Sequence, residues 1–172
     1  MTPTRIHPED EPISLQEATL PGMISGLIGA CFTAAIAGLF AETQGDFWRP
    51  MKGVAATFLG DAVSGRPGFQ PGPVMFGLMV HLIWSLVLGI FFVWLGGYLS
   101  RGAALGWGLL FSLSVWVIMQ FGILPVINPA LAATPPLPFA AVHVAFGISL
   151  GIYPRFLKTA TKEIPAIHRK AA

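Results

Sequence analysis

VMFGLMVHLIWSLVLGIFFVWLGGY, residues Val74 to Tyr98, contains no Asp, Glu, Lys or Arg. At about 1.5 Å of rise per residue, a helix of that length crosses the ~30 Å hydrocarbon core of a bilayer. Its apolar residues follow one another without alternating, which argues for a helix and against a barrel strand. Three further stretches read the same way: about Pro21 to Ala41, Gly102 to Leu124 and Pro138 to Pro154. The expected fold is therefore all-α, a polytopic membrane protein whose four transmembrane helices occupy residues 21–154. A polar N-tail (1–20) and a basic C-tail (155–172) flank them.

Composition agrees. Of 172 residues, 54% are hydrophobic and 10% charged, against about 25% charged in soluble domains. Ten Lys and Arg are too few for a phosphate-binding surface, so no nucleic-acid partner is expected. Cys31 stands alone, which excludes an internal disulfide. Inside the first apolar run, it is expected to be an inert thiol. That run is expected to be a retained anchor and not a cleaved signal, because acidic residues (Glu9, Asp10, Glu11, Glu17) precede it.

Charge then sets orientation. Arg5, Arg101, Arg155, Lys158, Lys162, Arg169 and Lys170 fall on one side, and Arg49, Lys52 and Arg66 on the other. Both termini are expected to be cytoplasmic, and Tyr98 and Tyr153 to sit at the inner interface. Arg155, Lys158 and Lys162 are candidates for contact with lipid headgroups.

On the outer side, Met51, Val54, Ala55, Phe58 and Leu59 recur at helical spacing, with Lys52 and Asp61 outside the stripe. They predict a short interfacial helix over about 48–61, with Trp48 as anchor and Pro50 in its first turn. A Gly/Pro-rich turn, Ser64 to Pro73, leads into the second span. The third loop, Pro125 to Leu137, has four prolines and no charge, and is expected to lie against the membrane surface or a partner.

The second and fourth spans share a motif. His81-Leu-Ile-Trp-Ser85-Leu-Val-Leu-Gly89-Ile90 matches His143-Val-Ala-Phe-Gly147-Ile-Ser-Leu-Gly151-Ile152. Two similar helix hairpins in tandem explain it, and place both histidines at similar depth. Small residues let membrane helices approach closely. Gly22, Gly26, Ala30, Ala34 and Gly38 form such a face on the first span. Gly77, Ser85 and Gly89 do so on the second, Gly147 and Gly151 on the fourth, and Gly102, Gly106, Gly108, Ser112 and Ser114 are candidates on the third.

Ionisable residues inside a membrane point to function. One reading of His81 and His143 is a haem b ligated by both rings; the other is a pair of neutral imidazoles hydrogen-bonding across helices. Close glycine faces favour the second, so no cofactor is expected. Transport would call for a buried carboxylate or a broken helix; a small channel acting as an oligomer stays open as an alternative. No catalytic motif occurs, and no enzymatic activity is expected.

The pattern resembles a group of small bacterial inner-membrane proteins with four helices, some labelled transporter-like. Those proteins share a glycine-rich first helix (here Gly22 to Gly38) and His-x-x-x-small-x-x-x-Gly in the second and fourth helices. They also carry an element that here reads Leu124-Pro125-Val126-Ile127-Asn128-Pro129-Ala130-Leu131. The resemblance implies a fold and an inner-membrane location more than an activity. The function expected is a non-catalytic subunit that packs against lipids and other integral membrane chains, or copies of itself, in a respiratory or other energy-transducing assembly.

Overall fold

A computed structural model describes residues 12–157. Helix α1 spans Leu15–Glu42, α2 Arg49–Leu59, α3 Pro71–Gly96, α4 Arg101–Val117, α5 Leu124–Ile127, α6 Pro129–Ala132 and α7 Pro136–Leu150. A 3₁₀ turn, Asp61–Val63, follows α2, and a π-helical segment, Ile118–Ile123, continues α4 into α5. Four helices are long and apolar enough to cross a membrane: Leu15–Glu42, Pro71–Gly96, Arg101–Ile127 and Pro136–Leu157.

The first span begins earlier than its hydropathy suggests. Ser14 Oγ accepts from the Glu17 backbone N–H, and the Glu17 carboxylate accepts from the Ser14 backbone. This capping box starts the helix at Leu15, six residues before the apolar run. The third span departs from α-geometry just before Pro125. A proline ring clashes with the carbonyl four residues back, and the π-helical turn gives that carbonyl room.

Helix α1 packs along α3 on one side and α7 on the other, and α4 packs along α7. Contacts of α3 with α4 and α7 are sparse and concentrate at one end of the bundle. There Ala18, Phe92, Val93, Ala104, Phe111, Leu150 and Tyr153 form the main apolar cluster. Phe92 meets Tyr153 edge-on with ring centroids 5.6 Å apart. Tyr153 is fully buried and does not sit at a lipid interface. Its hydroxyl donates to the Gly97 carbonyl and accepts from the Leu99 amide at 3.4 Å, fastening the turn between α3 and α4.

At the other end, α2 lies across α3 and touches α1. Its buried face comprises Met51, Lys52, Ala55 and Ala56, one residue out of phase with the predicted stripe. Phe58 and Leu59 are exposed. Lys52, expected on the polar side, is completely buried. The reason is satisfaction of its charge and donors. Its Nζ pairs with Asp46 Oδ2 at 2.6 Å and donates to the carbonyls of Arg66 and Gly68. An ammonium has three donors, and all three are used.

Asn128 ties the third loop to α2. Its amide donates to the Gly53 carbonyl at 2.9 Å and to Thr57 Oγ1 at 2.8 Å, while its Oδ1 caps α6 by accepting from the Leu131 amide. Asn128→Ala removes all three bonds and is expected to lower stability by about 2 kcal/mol, measured as an earlier midpoint on titrating the purified protein with denaturing detergent.

Candidate functional site

The small-residue faces meet in two antiparallel registers. Between α1 and α3, a methyl on Gly22 would overlap the backbone of Ile90, and one on Gly26 would lie 3.2 Å from the Ser85 carbonyl carbon and closer still to its oxygen. One step further along, His81 Nε2 lies 3.2 Å from the Ala30 carbonyl and 3.1 Å from Thr33 Oγ1. So Gly22 faces Gly89 and Ile90, Gly26 faces Ser85, and Ala30 faces His81.

Between α4 and α7, a methyl on Gly147 would lie 2.7 Å from the Gly108 carbonyl oxygen, and one on Gly151 would lie 3.2 Å from the Ala104 oxygen. Ser112 Oγ donates to the His143 carbonyl at 2.6 Å. So Ala104 faces Gly151, Gly108 faces Gly147, and Ser112 faces His143. In both interfaces a His-x-x-x-small-x-x-x-Gly strip lies in a groove of three small residues spaced four apart. Each registration follows from removing side-chain bulk at that point, which lets backbones touch.

Other candidate residues lie elsewhere. Gly38 abuts the ring of Phe47, where a methyl would lie 2.6 Å from Cζ. Ala34 lines a small apolar cavity of about 100 Å³ beneath Phe47, Trp48 and Met51. Gly102, Gly106 and Gly122 have nothing within 4 Å of where a Cβ would stand, so part of the third span's glycine content looks outward. Ser114 is exposed. Arg155 is exposed on the last described turn, and Lys158 and Lys162 lie outside the described residues.

Spacing did not single out Gly29 or Ala104, and it named Gly77 without its partner, α2. Gly29 receives the Phe146 ring, with Ser149 beside it. The signal was present: Ser25, Gly29 and Thr33 form a second row spaced by four, and all three are buried. Helix α1 therefore has two small-residue faces, one for α3 and one for α7. Gly77 lies against the backbone of Met51 in α2.

The two imidazoles differ in partner. His81 reaches across to α1. His143 bonds within its own helix, from Nδ1 to the Phe139 carbonyl at 2.9 Å, and stands edge-on to the Phe139 ring at 4.8 Å. A haem iron ligated through Nε2 of His81 would take the nitrogen that makes both of that ring's contacts to α1. Among the described residues, no group of three or more His, Cys, Asp or Glu is placed to hold a metal ion.

The fold and these interfaces define a helical protein with four apolar helices of membrane-spanning length. No family model matches the chain, and no curated protein or solved structure matches it significantly.

Proposed function

We propose that the chain is a non-catalytic integral membrane subunit of the bacterial inner membrane. In this reading, it packs against other membrane chains of a respiratory or other energy-transducing assembly, with both termini cytoplasmic. The observation that carries the reading is the division of its small residues. The glycines of α1 and α7, and those of α3 apart from Gly72, meet other parts of the chain, whereas Gly102, Gly106 and Gly122 on the third span face open space. In lipid, such glycines are where another helix can approach closely.

The two matching registers support a pair of similar tandem hairpins. The level of α2 supports an interfacial position. Helix α3 has 26 residues, or about 39 Å, against a core of ~30 Å. Centred in that core, it leaves about 4–5 Å outside at each end. Gly77, which meets α2, lies about 9 Å from the start of α3, close to the edge of the hydrocarbon. The motif likeness to small four-helix inner-membrane proteins agrees with this location.

Purification in mild detergent tests the reading. The wild-type chain is expected to co-purify with larger membrane proteins, and Gly106→Leu to lose them while remaining folded. A solitary monomer from the wild type would overturn it.

A further inference from the structure

The hydrogen bonds of the two membrane histidines fix where their protons lie. The Ala30 carbonyl can only accept, so His81 Nε2 carries the hydrogen that bonds it. Thr33 Oγ1 donates to the Gly29 carbonyl at 2.8 Å and is free to accept from the same Nε2. The neutral ring of His81 therefore has a bare lone pair on Nδ1. The Phe139 carbonyl likewise accepts from His143 Nδ1, which leaves the lone pair of His143 on Nε2. Among the described residues, no hydrogen bond reaches either bare nitrogen, and both residues are half-buried rather than sealed.

The rings also share a level. His81 touches Thr33. Phe146 touches Gly29, one turn below Thr33 on α1. His143 is one turn above Phe146 on the antiparallel α7, and so reaches the height of Thr33. Helices α3 and α7 make few direct contacts with each other.

The chemistry of an occupant follows from charge. No Asp or Glu lies in the apolar runs that carry these residues, so a cation would have no counter-charge there and would be costly to bury. Two neutral acceptors call for a neutral donor that enters from lipid. We propose that His81 and His143 together form a binding site for a lipid-soluble molecule that donates hydrogen bonds through hydroxyl groups, such as a hydroquinone or a diacylglycerol. The site is independent of whether the chain is a subunit of a larger assembly.

Nitrogen-15 NMR of histidine-labelled full-length protein in phosphatidylcholine nanodiscs tests this, with His7→Gln and His168→Gln assisting assignment. The probes are a decyl-substituted hydroquinone, its dimethyl ether, and dioctanoylglycerol. The hydroquinone is expected to shift the bare-nitrogen resonances of both His81 and His143 saturably, and the ether, which has no donor, to leave them unmoved. A response to dioctanoylglycerol alone would support the site and identify the source as a glycerolipid. His143→Phe, which keeps a flat ring and breaks no bond between helices through its side chain, is expected to weaken binding about fivefold to tenfold. His81→Phe is expected to weaken it as well, read at the remaining histidine. Three outcomes would overturn the proposal: no shift with either donor, equal shifts with the ether, or nitrogens already hydrogen-bonded before any probe is added, which would mean that water fills the space.

Discussion

Gly108→Leu is expected to separate the second helix pair, while Gly106→Leu, two residues away on the same helix, leaves the isolated chain at least as stable as before. At Gly108, a side chain would run into the Gly147 carbonyl and come within 3.1 Å of the Gly151 amide, starting from its first carbon. Those atoms are backbone, so no rotamer change removes the overlap. Relief requires α4 and α7 to move apart. That movement also breaks the Ser112 bond to the His143 carbonyl and loosens the contact of Ala104 with Gly151. Leucine gains about 1 kcal/mol over glycine in helix propensity. Overpacking with lost contacts costs about 3 kcal/mol, so the clash wins. At Gly106 there is nothing to meet, and only the propensity gain acts. Detergent-titrated unfolding of both variants, followed by circular dichroism, checks the contrast. Equal loss in both would mean that α4 does not use Gly108 as the point of approach.

That contrast marks the limit of reading spacing alone. The apolar runs located all four spans because a bilayer demands length and continuity, and both are written directly in the residues. The small-residue face of α1 against α3 was legible for the same reason: Gly22, Gly26 and Ala30 repeat every fourth position. On the third span the glycines sit at 102, 106, 108 and 122, and periodicity could not tell which of them had a partner. The partner motif decides it, since Ala104, Gly108 and Ser112 are the positions that match Gly151, Gly147 and His143. Helix ends were less visible. Ser14 and Glu17 read as tail because they are polar, yet polar residues are what a helix start requires. Tyr153 read as an interfacial anchor from its position near the end of a span. The turn after α3 instead offers its hydroxyl the Gly97 carbonyl, and the ring is buried against Phe92.

Lys52 is the clearest case of a residue whose surroundings reverse its expected place. A lysine on an amphipathic outer helix ordinarily faces water or headgroups. Here the loop before α2 supplies Asp46, and the loop after it supplies the carbonyls of Arg66 and Gly68. Asp46 is itself held, with Oδ1 accepting from the amides of Trp48 and Gly68. One ammonium thus gathers two loops and a helix over the end of α3, where Gly77 admits the backbone of Met51. Lys52→Met keeps the apolar stem but leaves the Asp46 carboxylate, only 11% exposed, without its counter-charge and the Gly68 carbonyl without its donor, while the Arg66 carbonyl keeps only its bond from Gln70 Nε2. Losing one partner of a buried pair costs about 3–5 kcal/mol. The expected result is release of the 60–70 loop, read as rapid proteolytic cleavage there while the four long helices stay intact by circular dichroism. Asp46→Asn combined with Lys52→Met should recover part of the loss, because no charge is then left stranded. If the double variant were cleaved as fast as the single one, the hydrogen bonds from Lys52 to the two carbonyls, and not charge pairing, would be what holds the loop.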